Sequence, residues 1–146
     1  MTVALSGKEV AAKLEQQFPG SIIESNDYSL LVKTESLFDI LSYLKTTPEF
    51  EFDYLSDITA VDYLDYFDVV YHITSMVNNH SLVLKTRCHG RENLSVPSIV
   101  SLYQGANSQE REIYDLMGIS FEGHPNMKRI FLWEGFQGHP LCKDYL

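Results

Sequence analysis

The strongest constraint on the fold is a pair of strand-like runs, Asp68–Val77 and His80–Cys88, that flank Asn78-Asn79. Both runs contain the β-branched and aromatic residues that are typical of strands. Asparagine tolerates the positive φ that a tight hairpin turn requires, so the two runs are expected to pair antiparallel. A chain that contains this hairpin has to build a sheet around it.

Three more strands are predicted elsewhere in the chain. Asn26-Asp27 has the same turn chemistry and predicts a second hairpin between Ser21–Ser25 and Tyr28–Lys33. Another strand follows from a period-two alternation that puts aromatic rings on one face and carboxylates on the other, and it continues through Ile58 to Val61. The alternating residues are Glu49, Phe50, Glu51, Phe52, Asp53 and Tyr54.

Capping signals and apolar spacing predict three helices. The sequence Ser6-Gly7-Lys8-Glu9 is a capping box before a helix that ends at Pro19-Gly20. A second helix runs from Ser36 to Thr46, ahead of Pro48. The third, Gln109–Met117, is opened by a capping signal at Asn107-Ser108-Gln109-Glu110 and ended by Gly118, and Pro97–Tyr103 is compatible with a further short helix.

The predicted order is helix-β-β-helix-β-β-β-helix, which favours an α+β fold with helices packed on a mixed or antiparallel sheet. We expect this domain to span residues 1–118. After Gly118 the regular periodicity ends, although the segment is still rich in large apolar residues. Ordinary solvated loops favour small polar residues, so residues 119–146 are predicted to form an extended irregular tail that packs on its own domain or on another protein.

Charge argues against several classes of partner. The formal net charge is −9, and residues 46–84 contain no lysine or arginine. Nucleic acids and anionic lipids are bound through clustered Lys and Arg, so neither is an expected partner. No apolar run approaches the roughly 18 residues of a membrane-spanning helix, so no direct membrane insertion is expected. The acidic run is either a solvated face or a docking face for a basic partner.

Catalytic and metal-binding motifs have little support. No phosphate-binding glycine loop, nucleophile elbow or His-Glu-x-x-His motif occurs. His124 and His139 share a Gly-His-Pro context and could close a metal site with Cys88 or Cys142, or hydrogen-bond the backbone at their turns. Glu112 and Asp115 share a helix face as paired carboxylates, or form a salt-bridged face with Arg111. A stand-alone hydrolase or metalloenzyme using Glu112, Asp115, His124 and His139 is therefore one hypothesis.

The last third of the chain also carries an ordered set of motifs. Together with Leu55 to Tyr63 and Phe67 to His72, it resembles the thirty-kilodalton subunit family of respiratory complex I, also called the C subunit of NADH:quinone oxidoreductase. The similarity covers roughly Phe52 to Tyr145. Its motifs are Gly105-Ala106-Asn107, Glu110 to Phe121, Gly123-His124-Pro125 with Lys128-Arg129-Ile130, and Gly138-His139-Pro140-Leu141 with Lys143-Asp144-Tyr145.

This resemblance implies a structural and assembly subunit of the peripheral arm of an electron-transport complex, without a cofactor of its own. The flavin (FMN) and the iron–sulfur clusters are then expected in partner subunits. The expected partners are the iron–sulfur subunits and the large subunit that helps form the quinone site, which is of the forty-nine-kilodalton type. The implied location is peripheral, on the cytoplasmic side of the inner membrane or the equivalent matrix side of an organelle.

The residues expected at the partner interface lie on the third helix and in the tail. Aromatic and apolar anchors dominate interfaces, so the strongest contacts are expected from Tyr114, Phe121, Ile130, Phe131 and Trp133. The other expected interface residues are Glu110, Arg111, Glu112, Asp115, His124, Arg129, His139, Lys143 and Asp144.

Departures from the family pattern at three residues keep a second branch open. Ser108-Gln109 stands where the family usually has Trp and an apolar residue, and Cys142 stands where Arg is usual. Related subunits occur in membrane-bound hydrogenases and in dehydrogenases that use other electron donors. The equivalent subunit of such a complex is therefore the alternative to an NADH:quinone oxidoreductase.

Overall fold

The fold is built on the hairpin that Asn78-Asn79 predicts. A computed structural model describes residues 2–133 and 136–145. Strands β5 (Tyr66–Ser75) and β6 (His80–His89) pair antiparallel over their whole lengths, from Tyr66 opposite His89 to Ser75 opposite His80. Asn79 adopts a φ of 57° in the connecting turn, as the turn chemistry requires.

Four more strands complete a mixed six-stranded sheet around this hairpin. They are β1 (Val3–Ala4), β2 (Ile22–Ser25), β3 (Leu30–Val32) and β4 (Tyr54–Asp62). The order of the sheet is β2-β3-β6-β5-β4, and β1 pairs with the other end of β6, on the same edge as β3. The pairs β4–β5 and β2–β3 are antiparallel, whereas β3 and β1 run parallel to β6.

Two helices cover one face of this sheet. Helix α1 (Gly7–Gln17) and helix α2 (Leu37–Thr46) each bury one apolar stripe, as amphipathic helices do. These stripes form a single core with alternate residues of β5, which are Phe67, Val69, Tyr71 and Ile73. The intervening residues of β5 lie on the other face, where His72 and Thr74 are partly exposed and Asp68 and Val70 are buried. The α+β prediction is therefore confirmed.

Helix α3 (Ala106–Met117) lies against β4, and in the chain it connects the two strands of a second, two-stranded sheet. In that sheet β7 (Ser95–Pro97) pairs parallel with β8 (Ser120–Glu122). Ile119 and Phe121 are buried in the main core. The β7–β8 pairing and these buried side chains attach residues 119–122 to the rest of the chain, and the boundary after residue 118 stays a prediction.

Several local predictions differ from the structure. Ser6 precedes α1, but its side chain makes no capping hydrogen bond. Helix α3 begins at Ala106 rather than Gln109. Pro97–Tyr103 is no helix: it follows β7 with a turn in which the N–H groups of Leu102 and Tyr103 both donate to the carbonyl of Ile99.

The strand predicted from Phe50 also begins later than expected. Glu51 has a φ of 42°, which interrupts an extended chain, and β4 begins only at Tyr54. Phe50 and Phe52 nevertheless both lie in the core. Among the described residues, no helix is long and apolar enough to cross a membrane.

Candidate partner interface

Helix α3 carries buried polar side chains that hold the chain after it. Glu110 and Asp115 are both fully buried, and Ile113 and Met117 are nearly so. Gly118 ends the helix with a φ of 82°, a conformation that glycine adopts without strain. We call residues 123–133 and 136–145, which follow β8, the C-terminal segment; it contains no helix or strand.

Asp115 binds the backbone of the C-terminal segment. Its Oδ2 accepts hydrogen bonds from three consecutive amides, those of Ile130 (3.2 Å), Phe131 (2.8 Å) and Leu132 (3.0 Å). Burial alone would raise the pKa of this carboxyl, but the three amides and Arg129 together lower it below its ordinary value. Asp115 is therefore held as a carboxylate inside the protein.

Arg129 pairs with this carboxylate. Its Nε lies 2.8 Å from Asp115 Oδ1, although the N–H is not directed at that oxygen, so the contact is an ion pair rather than a hydrogen bond. The guanidinium also donates to the carbonyls of Asp115 (3.1 Å), Phe136 (2.6 Å) and Gly138. One arginine thus ties the helix to two separate parts of the C-terminal segment.

Arg111 adds a second attachment one turn earlier on α3. It donates from Nε to the carbonyl of Lys128 (2.9 Å) and from Nη2 to the carbonyl of Arg129 (3.0 Å). The sequence offered Arg111 as the cation for Asp115, but the structure gives that role to Arg129. Arg111 binds backbone carbonyls instead because the C-terminal segment lies across this helix face.

The stretch held in this way presents apolar side chains to solvent. We call Ile130, Phe131 and Trp133 the apolar stretch; their exposed fractions are 37%, 61% and 68%. Trp133 contacts Phe136 edge to face, with ring centroids 6.0 Å apart. Large exposed aromatic side chains on an ordered backbone are typical of interaction surfaces.

His139 packs on the end of α3. Its Nδ1 lies 3.0 Å from the carbonyl oxygen of Asp115, and its ring is 6.3 Å from that of Tyr114. A Cβ added at Gly118 would lie 2.8 Å from His139 Cδ2. Position 118 therefore requires glycine for its positive φ and also for this close contact.

A second ion-pair group holds the end of the C-terminal segment. Arg91 donates to both carboxylate oxygens of the buried Asp62 and pairs with Asp144 at 2.8 Å. Asp62 Oδ2 also accepts from the amide of Lys143 (2.8 Å). The Arg91 guanidinium holds the pKa of Asp62 well below its ordinary value, despite the burial that opposes this.

Glu110 faces the other side of α3 and fixes the chain after β7. It accepts from the Ser98 hydroxyl (2.6 Å) and from the Ile99 amide (2.9 Å). Burial raises the pKa of Glu110, and these two hydrogen bonds partly offset the increase. His124 accepts at Nδ1 from the Asn126 amide, so its Nε2 carries the proton and donates to the carbonyl of Asn107 (3.0 Å).

The predicted interface residues therefore fall into three groups. Ile130, Phe131, Trp133, Lys143 and Asp144 are exposed, and Glu112 and Tyr114 are half-buried on α3. Arg111, Arg129, His124 and His139 use their polar atoms within the chain. Glu110, Asp115 and Phe121 are buried, so they support the surface from within this chain.

The residues proposed for a hydrolase or metal site are not brought together. His124 binds the backbone at Asn107 and His139 binds it at Asp115, which is about 12 Å further along the helix. Cys88 is buried in the core, and burial raises its pKa to about 11. Within the described part of the chain, the group with metal-ligand spacing is Asp62, Cys142 and Asp144, and Arg91 already pairs with both of its carboxylates.

Sequence reasoning missed the roles of Asp62, Arg91 and Ser98. Asp62 did carry a signal, because it follows Ile58 and Ala60 in the core-facing register of β4. A carboxylate at such a position needs an internal partner. Nothing local indicated Arg91 or Ser98, whose partners lie 29 and 12 residues away in sequence.

The fold and this surface are those of an α+β protein that serves as a subunit of a larger assembly. The chain belongs to the 30 kDa subunit family of the respiratory-chain NADH dehydrogenase, whose family model matches residues 30–146. This confirms the resemblance found in the sequence and makes the chain a subunit of a complex-I-type assembly. The departures at Ser108-Gln109 and Cys142 do not prevent the match.

Similar proteins include bacterial and mitochondrial subunits. The NADH-quinone oxidoreductase C subunit of Roseiflexus castenholzii is 39% identical over 97% of this chain and 85% of its own length. That of Dinoroseobacter shibae is 41% identical over 99% and 69%. The mitochondrial NADH dehydrogenase [ubiquinone] iron-sulfur protein 3 of Candida albicans is 40% identical over 91% of this chain but 47% of its own length.

A solved structure supports the fold. A chain of the membrane-bound sulfane sulfur reductase, an archaeal respiratory membrane complex, superposes with a TM-score of 0.75 over 94% of this chain and 84% of that chain. The two are 23% identical in sequence, so this comparison establishes the shared fold alone.

Proposed function

We propose that this chain is a cofactor-free structural subunit of the peripheral arm of a complex-I-type NADH:quinone oxidoreductase. It docks through the apolar stretch to the large subunit of the quinone site, with the iron–sulfur subunits of the same complex nearby. The observation that carries the proposal is an aromatic surface that is exposed and at the same time fixed by a fully buried carboxylate. Interfaces draw most of their binding energy from such aromatic anchors.

The cysteine content supports the absence of a redox centre in this chain. Iron–sulfur clusters are held by about four cysteine thiolates, whereas the sequence contains two cysteines. Flavin and the iron–sulfur clusters are therefore assigned to partner subunits. We place the subunit peripherally, on the cytoplasmic or matrix side, where its partners would carry electrons to quinone.

Co-purification tests the docking surface directly. We expect the double variant F131A/W133A, expressed as the full chain, to recover at least ten times less large subunit from gently solubilised membranes. Loss of two aromatic contacts of about 2 kcal/mol each is more than sufficient for that factor. The matched control is Y28A/M76A, which removes two side chains that are 84% and 70% exposed at other turns of the sheet.

The identity of the recovered proteins also separates the proposal from its alternative. Mass spectrometry should find the large subunit and the iron–sulfur subunits of a quinone-reducing complex, and hydrogenase subunits in their place would support the other branch. Undiminished recovery of the large subunit by F131A/W133A, with the control also unchanged, would contradict docking through the apolar stretch.

A further inference from the structure

We infer that Asp115 and Arg129 are positioning residues: their buried ion pair fixes the backbone of residues 130–132 and so directs Phe131 and Trp133 outward for docking. The inference rests on the proposed function and goes beyond it, because the resemblance placed Asp115 and Arg129 at the partner contact itself. Asp115 is fully buried and contacts no solvent. Its effect on a partner therefore has to pass through the backbone that it holds.

The hydrogen bonds show how that backbone is held. In regular structure, three consecutive amides would donate to three carbonyls, but here all three donate to Asp115 Oδ2. Residues 127–133 form no helix and no strand. The conformation of the apolar stretch consequently depends on one carboxylate of α3 and on the arginine that pairs with it.

Stability alone does not explain a charged pair at this place. Burying a carboxylate and a guanidinium costs several kcal/mol of desolvation, and apolar residues of similar volume are often equally or more stabilising. An apolar side chain, however, could not accept from three amides. The pair thus supplies what an apolar contact lacks, which is a defined backbone conformation for an irregular segment.

A fixed conformation matters for docking because ordering is unfavourable. Immobilising a backbone residue costs conformational entropy, and a partner that has to order a mobile stretch loses the corresponding affinity. In this structure the amides of residues 130–132 already have their acceptor within the chain, so a partner would not have to supply it. Loss of the pair is therefore expected to weaken docking 10-fold or more without removing any exposed side chain.

Trp133 is the only tryptophan of the chain, so its fluorescence reports directly on how far the apolar stretch is immobilised. We propose time-resolved fluorescence anisotropy of Trp133 in the free full-length chain, for the wild type and for Asp115→Asn. The amide of Asn has a single oxygen, so either the three backbone amides or Arg129 lose their acceptor. We expect a larger fast-decaying fraction of the anisotropy in the variant, with at least 10-fold lower recovery of the large subunit.

Two further variants keep the test decisive. Asp39→Asn makes the same exchange at an exposed carboxylate of α2, outside the expected interface, and should leave both measurements at the wild-type level. Should Asp115→Asn fail to fold, Arg129→Lys keeps a positive charge for Asp115 but removes the planar guanidinium that also donates to the carbonyls of Asp115, Phe136 and Gly138. It should change the anisotropy in the same direction.

Two results would overturn the inference. One is a Trp133 anisotropy decay that is unchanged in folded Asp115→Asn or, in its place, in Arg129→Lys. The other is a mobile Trp133 with wild-type recovery of the large subunit. Failure of the proposed function looks different, because F131A/W133A would then bind normally whatever the anisotropy of the free chain.

Discussion

At the scale of single residues, three of the seven acidic side chains in the middle of the chain form ion pairs with cations of the same chain. Asp62 pairs with Arg91, Asp68 with Arg87 and Glu49 with Lys13. The docking face for a basic partner that this acidic run suggested therefore loses several of its charges to internal partners. We therefore expect these paired charges to contribute to folding stability rather than to partner binding.

Asp62 makes this contribution measurable. We expect Asp62→Asn to lower the free energy of unfolding by about 1–3 kcal/mol at pH 7, because it removes the charge that binds Arg91 and the Lys143 amide. Urea unfolding followed by circular dichroism at several pH values measures the difference. The control is Asp57→Asn, an exposed carboxylate of the same strand, with an expected change within about 0.5 kcal/mol.

The sign of the pH dependence follows from the direction of the pKa shift. The folded-state pKa of Asp62 is lower than its ordinary value of 3.8. The ion pair therefore stabilises the fold above about pH 4, and this stabilisation is lost as the pH falls through the folded-state pKa. The difference in the free energy of unfolding between wild type and Asp62→Asn should decrease below about pH 4. A difference that stays constant down to about pH 2.5 would contradict this assignment.

At the scale of elements, α3 connects parts of the chain that are distant in sequence. Gln109 accepts from the Ile58 amide at the irregular start of β4, Glu110 holds the chain after β7, and Asp115 holds the apolar stretch. Gln109, which belongs to the departure from the family pattern at Ser108-Gln109, thus supplies a hydrogen-bond acceptor where the register of β4 is irregular. Each of these contacts uses a different face of one twelve-residue helix.

The neighbouring strand β8 separates core residues from docking residues. Phe121 is 2% exposed, so Phe121→Ala should cost about 3–5 kcal/mol of unfolding free energy, measured by urea denaturation. Phe131→Ala removes the same side chain at a 61% exposed site and should cost less than about 1 kcal/mol. Equal costs at the two positions would show that Phe131 is buried in solution.

Local signals explain which elements the sequence could predict. The turn at Asn78-Asn79 and the apolar stripes of α1 and α2 depend on neighbours within a few residues, and all were predicted. The pairing of β1 with β6 joins Val3 to His80, and the β7–β8 pair joins Val96 to Phe121. Strands of two or three residues carry too little pattern to show such distant pairing.

At the scale of the whole molecule, local signals predict one part of the site but not the other. The excess of apolar residues after Gly118 predicted a segment that has to pack on protein, and the family motifs marked its residues. Whether a given motif residue faces a partner or its own domain depends on contacts such as Asp115 with residues 130–132. These contacts arise only when the irregular chain lies across the helix.

Truncation tests where the folded domain ends. A chain that ends at residue 122 still contains the core residues Ile119 and Phe121. It lacks Arg129, the partner of Asp115, but it also lacks the segment that covers Asp115. The Asp115 carboxylate is then exposed to water, so no unpaired charge stays buried. We expect this truncated chain to unfold cooperatively, with Tm lowered by roughly 5–10 °C, the equivalent of about 2–3 kcal/mol in a chain of this size.

A chain that ends at residue 118 should behave differently, because it loses both core side chains and strand β8, the partner of β7. Burial of an isoleucine and a phenylalanine contributes about 1.5–3 kcal/mol each, and removal of both leaves a cavity in addition. Thermal unfolding followed by circular dichroism should then show a broad transition or none. If the two truncated chains unfold alike, residues 119–122 belong to the docking segment rather than to the domain.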